Sequence, residues 1–380
     1  MELGKEDKRF LEGADRLRSC SRHILICLCL ILVGSSLVGC ATLFKVDSET
    51  TRTSREPEVW MCFKNKQELV EEGAQWDFVK GHLDGLKLYS AAKNELSDET
   101  MSKLMALLKE NDIQLSLETG GTYGFYPVNK DNGRVSAERV IGVIDKFAAN
   151  GGRVDFIDLD GPISRLLATG RNRHRFKKEW NYGGFETIEE CIDQLIQALL
   201  ILQERYPGIG FFALTNFGNW GYKGCPSYHG RWENRQDWGD YYQVISHLIP
   251  KARDAGVNLC GVTVDHPYEK TIGTLKSVTF RHPEWIDWLA RIRDLEDYVR
   301  GQGLQFNLIV HNAGNDSSNQ EYYEDMLSYL DLYREAGGAP DRYIIQSWKP
   351  WPDKNLPETE PYTSTYAVKA AILKIKGISD

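Results

Sequence analysis

"VDFIDLDGP", residues 154–162, sets three aspartates into a run that otherwise reads Val, Phe, Ile and Leu. A short apolar run closed by Gly161 and Pro162 fits a strand buried on both faces, as parallel sheets require. A bare carboxylate is costly to bury, so Asp155, Asp158 and Asp160 must be held or used there. The same kind of run recurs at 58–64, 85–90, 113–120, 209–217, 257–266, 304–312 and 342–348. Helical patterns alternate with them, over roughly 66–80, 97–111, 135–149, 186–205, 239–254, 283–302, 319–337 and 363–376. Eight strands alternating with eight helices predict an α/β chain folded as one (β/α)8 TIM barrel over 57–380. The competing architecture is an open doubly wound sheet. It would lead one to expect a Gly-rich phosphate turn after a strand, and none is present, so no cofactor is expected.

The approaches to the strands are short and rich in turn residues, as in "NGGRVD", "YPGIG" and "DAGVN". The connections leaving the fourth, fifth and eighth strands are long, at about 161–185, 216–238 and 348–362. In a barrel of this class the active site forms where those loops gather, at the C-terminal ends of the strands. Polar residues collect at those ends. The second strand gives Lys87 and Tyr89, the third Glu118, and the fourth Asp158 and Asp160. The fifth gives Asn216, the sixth Asp265 and His266, the seventh His311 and Asn312, and the eighth Gln346 and Trp348.

Strand alternation separates the three aspartates. Asp158 and Asp160 share a face, which is expected to be the barrel interior; Asp155 points the other way, toward a helix partner. Paired carboxyls can hold one another in different protonation states, which suits acid and base work. Glycoside hydrolysis usually takes two carboxyl groups on opposite sides of the scissile bond. The expected pair is Asp158 or Asp160 with Asp265, and Glu118 stands in reserve. Lys87, Tyr89, Asn216, Trp220, His266, His311, Asn312, Gln346 and Trp348 are the candidate substrate-binding residues. The loop 216–242 carries Trp220, Tyr222, Tyr228, Trp232, Trp238, Tyr241 and Tyr242, and the last loop adds Trp351. Such rings offer flat apolar faces to sugars. Arg165, Arg171, Arg173, Arg175, Lys177 and Lys178 form a run with no acid, which would favour an anionic glycan if it leaned over the mouth.

The fourth strand resembles that of the family 18 (chitinase-type) glycoside hydrolases, which carries Asp-x-x-Asp-x-Asp-x-Glu. Here the pattern runs Asp155, Asp158, Asp160 and then Pro162 where that family's catalytic glutamate stands. Trp348, at the end of the eighth strand, is a second shared feature. The resemblance implies a glycosidase-like barrel, but its general acid is missing, so that family's mechanism does not transfer. Two other functions stay open. One is a surface glycan-binding protein that does not cut. The other is a metal-dependent isomerase or hydrolase that would use Asp158, Asp160, Asp265, His266 and His311 as ligands.

A net charge of −8 argues against generic nucleic-acid binding, and 42% hydrophobic residues suffice for a large core. At the N-terminus six basic residues precede the apolar run "ILICLCLILVG" (24–34), which is short for a membrane span. "LVGC", Leu37 to Cys40, resembles the lipobox of bacterial lipoproteins. That resemblance implies a signal peptide over 1–39, lipid on Cys40, a polar tether over 40–56 and export to the cell envelope with membrane attachment. The four remaining cysteines, Cys62, Cys191, Cys225 and Cys260, show no metal-type spacing and are expected to be free thiols.

Overall fold

Alternation along each strand builds the barrel. The structure, a computed structural model, describes residues 56–120, 124–125, 129–168, 184–225, 227, 238–275, 286–313 and 318–379. Eight parallel strands close on themselves in chain order. They are β1 (Glu58–Cys62), β2 (Gly85–Tyr89), β3 (Gln114–Thr119), β4 (Phe156–Asp160), β5 (Gly210–Asn216), β6 (Leu259–Asp265), β7 (Gln305–Val310) and β8 (Arg342–Gln346). A principal helix follows each strand: α1 (Asp77–His82), α2 (Asp98–Glu110), α3 (Asn132–Ala149), α4 (Ile188–Arg205), α5 (Tyr241–Asp254), α6 (Trp288–Gly301), α7 (Asn319–Glu335) and α8 (Ser364–Lys376). The expected TIM barrel is therefore what the chain forms.

One face of every strand is apolar and meets the helices. Val59 and Met61, Leu86 and Leu88, Leu115 and Leu117, and Ile157 and Leu159 all enter this outer core. The helices are fixed at their starts by side chains. Ser97, Asp240, Asp287, Ser318 and Thr363 each accept a first-turn backbone N–H, and Thr187 with Glu190 forms a capping box on α4.

The expected helix over 66–80 is instead two pieces, a 3-10 turn at Lys66–Val70 and α1. Gly73 lies between them at φ +81°, a left-handed conformation that no helix interior accepts. Helix α3 starts at Asn132, three residues before the expected boundary at 135.

The interior face has the usual branched apolar filling only in part, where Leu214, Ile309 and Ile344 pack with Trp60 and Cys62. Its lowest layer holds Trp60, Phe156, Phe212 and Arg342, with the guanidinium 3.9, 4.8 and 4.9 Å from the three ring centroids. Gly85 makes room for this layer: a Cβ there would lie 2.2 Å from the Trp60 ring. Above it come Lys87, Ser116, Asp158, Thr263 and Asn307, all buried.

Asp155 faces outward as its alternation predicts, but its partner is not a helix. Its carboxylate accepts the Leu115 backbone N–H at 2.9 Å and pairs with Arg153. Cys62, Cys191 and Cys260 are free thiols, the first two buried. Cys40, the segment 1–39 and most of the tether lie outside the described residues.

Candidate active site

The upper ends of the strands enclose a hollow of about 250 Å³, small for a ligand pocket. Tyr89, Glu118, Asp160, Asn216, Asp265, His266, His311, Gln346 and Trp348 all line it. Nine of the sequence-chosen residues, from the ends of seven strands, thus converge on one cavity. A hollow of about 350 Å³ at the opposite end, walled by residues such as Met105, Leu108 and Gln114, sits where the strands begin. In this fold that end serves stability rather than chemistry.

Glu118 ends β3 facing inward. Its carboxylate lies 2.7 Å from the Lys87 ammonium. Burial pushes its proton affinity up, Lys87 opposes that, and Asp160 and Asp158 add to it, leaving the group at about 7. Asp265 ends β6, three strands away. Burial would raise it as well, but the His311 ring, with Nε2 at 2.8 Å, acts together with Lys270 and Lys87 to hold the carboxyl below its ordinary range. One pocket therefore holds a carboxyl that keeps its proton near neutrality and another that stays charged.

Asp160 lines the pocket but is tied down. It accepts from Asn216 Nδ2 at 2.9 Å and from the Arg165 guanidinium, whose Nε also donates to the Asp160 carbonyl at 2.6 Å. Asp158 was expected beside it at the mouth. The structure puts it one layer lower, 0% exposed and beneath the floor, where it accepts from Thr263 Oγ1 at 2.7 Å. Two residues along a strand is about 6–7 Å, which is the difference between floor and mouth. Lys87 lies at the same buried level. The carboxyl that sits high and exchangeable is Glu118, the reserve of the sequence reading.

The Trp220 assignment is corrected. Its ring is 2% exposed and packs on Trp238 and Tyr241 at 5.6 Å from each. Tyr222 is also buried, with its hydroxyl donating to Asp294 at 2.6 Å. This half of the aromatic loop is its own core; Tyr228 and Trp232 lie outside the described residues. Trp348 is the opposite case, 46% exposed on the pocket rim. Asn312 is buried away from the pocket and donates to Asp325 at 3.1 Å. Glu269 accepts the Ala313 backbone N–H at 2.6 Å. Of the basic run, Arg165 answers Asp160, and residues 171–178 lie outside the described residues.

His266 is fully buried against Trp288, with ring centroids 4.5 Å apart. Burial holds it far below its ordinary range, so it is a neutral imidazole. Burial raises the Tyr89 hydroxyl well above its usual range, so it too is neutral. Among the described residues no group of three or more His, Cys, Asp or Glu side chains is arranged to hold a metal ion. Asn219 and Lys270 also line the pocket and were missed by the sequence reading. Lys270 sits one turn past β6, on the short helix Tyr268–Thr271, and so beyond the strand ends.

No family model matches the chain, and no curated protein does. Solved structures similar to it include an intracellular xylanase from Thermoanaerobacterium saccharolyticum, at 12% identity over 82% of this chain and 95% of that one, with a TM-score of 0.49. Xylanase 10B from Thermotoga maritima is similar at 12% identity over 85% and 97%, with a TM-score of 0.47. A D-psicose 3-epimerase is similar at 11% identity over 77% and 85%, with a TM-score of 0.37. At these identities the likeness is one of barrel fold.

Proposed function

We propose that this protein is a glycoside hydrolase, with Glu118 as the general acid and Asp265 as the second carboxyl group. The observation that carries this reading is the opposite tuning of two carboxyls in one pocket, one held near 7 and the other below its ordinary range. Cleavage of a glycosidic bond needs both states at once: a proton for the departing oxygen, and a carboxylate on the far side as nucleophile or base. Trp348 offers its exposed ring to a sugar face, and Asn216, Gln346 and neutral His266 supply polar atoms around the hydroxyls.

Glu118→Gln and Asp265→Asn should each lower turnover of an oligosaccharide by about 10²–10⁴-fold. An aryl glycoside with a good leaving group needs little help from an acid, so the Glu118→Gln loss should shrink on it while the Asp265→Asn loss persists. Ligand binding without turnover by the unsubstituted protein would favour a glycan-binding role instead.

The proposal includes a lipid anchor on Cys40, resting on "LVGC" after an exported signal. Cys40→Ser should release the protein from the membrane fraction or block its processing. Unchanged attachment and mobility would count against the anchor.

A further inference from the structure

Lys87 is a fully buried ammonium placed between two carboxylates. It lies 2.7 Å from Glu118 and 3.6 Å from Asp158. Asp158 accepts from Thr263 Oγ1 at 2.7 Å, and Thr263 accepts from Asn307 Nδ2 at 3.2 Å. A column of polar groups thus crosses the barrel interior from β7 to β3, directly under the pocket. One cation cannot neutralise two carboxylates. We propose that Lys87 and Asp158, both at the buried level beneath the pocket, are positioning residues that set the proton affinity of Glu118 in opposite senses.

The charge count gives the reason. With Glu118 protonated, Lys87, Asp158 and Glu118 sum to zero. Release of the proton leaves one net negative charge next to the fully buried Asp158, so the proton is held. Without Asp158 the same release would leave a neutral Lys87–Glu118 pair, and the proton would go more easily. Without Lys87 the release would put two like charges together, and the proton would be held more tightly.

Lys270 adds a cation to the pocket, where its charge acts on Asp265 and His266, and four other groups near Glu118 are answered or neutral. Asp160, on β4, is bound by Arg165 and Asn216. Asp265 pairs with His311 across the pocket. On β2 the Tyr89 hydroxyl is raised by burial, and on β1 burial pushes the Cys62 thiol up to about 12, so both are uncharged. The next cation below Asp158 is Arg342; Glu58 pairs with it at 2.8 Å, and the Asp158 charge acts on it as well.

The role in catalysis rests on Glu118 being the acid, but the coupling itself does not, so the test separates them. The Glu118 carboxyl is titrated by carbon-detected NMR in the unliganded protein and assigned by its loss in Glu118→Gln. Asp158→Asn should lower the midpoint by about one unit or more, and Lys87→Met should raise it similarly. Asparagine keeps an oxygen for Thr263, so the first variant decides the matter even if Lys87→Met does not fold. A midpoint that stays put or rises in Asp158→Asn overturns the proposal, whatever happens to the melting temperature. The basic limb of the turnover profile should move with the NMR midpoint. An NMR shift with no movement of that limb would confirm the coupling and remove Glu118 as the acid.

Discussion

At the scale of single residues, height along a strand matters as much as the face a residue is on. Alternation shows that Asp158 and Asp160 point inward, but not which layer each reaches; the barrel's own shear decides that. Tuning of Glu118 was equally hidden in the sequence, because its determinants come from β2 and β4, about 30 and 40 residues away along the chain. The two tryptophans make the same point. Both stand in long loops near strand ends, and only packing tells them apart. Trp348→Ala should weaken glycan binding by about 1–3 kcal/mol if the ring is fully covered by ligand, with the melting temperature little changed. Trp220→Ala should instead cost about 3–5 kcal/mol of stability by emptying the space between Trp238 and Tyr241. Calorimetric titration and chemical denaturation of the two variants distinguish these outcomes. Early unfolding of Trp348→Ala, or a stable Trp220→Ala with lost affinity, would reverse the assignment.

At the scale of elements, the sequence was a good guide wherever periodicity was long and unbroken. All eight strands fall inside their expected runs, because residues buried on both faces leave a continuous apolar mark that no helix of the same length competes with. The exception, residues 66–80, is instructive. "KQELVEEGAQWDFVK" has helical composition throughout, but Gly73 is placed to turn the chain, and Trp76 then buries its ring with Nε1 donating to the Leu69 carbonyl at 3.2 Å. A tertiary contact overrides local preference there. The loops were legible as loops and not as surfaces. Aromatic content marks 216–242 as something to be packed, and whether against a ligand or against itself depends on helices α5 and α6, which supply Tyr241, Tyr242 and Tyr298.

At the scale of the whole molecule, the barrel divides into a mouth that carries the polar pocket and a base that closes the sheet. Closure joins β1 to β8, with Glu58 opposite Arg342 in register. The Glu58 carboxylate accepts from Arg342 Nε at 2.9 Å and from Trp60 Nε1 at 3.0 Å, while three aromatic rings surround the guanidinium. Arg342 is 1% exposed, so its charge has no recourse to water. Removing one member of such a pair strands the other, at a typical cost of about 3–5 kcal/mol, whereas replacing both with apolar groups is often neutral. Glu58→Gln should therefore destabilise strongly, and Glu58→Gln with Arg342→Met should recover most of the loss. Both effects are read from chemical denaturation. Because the pair lies at the base, below the Lys87–Asp158 layer, the Glu118 midpoint should stay near 7 in the double variant. A double variant as unstable as Glu58→Gln alone would mean that the rings need the guanidinium itself, and that the base is held by cation–π stacking rather than by the ion pair.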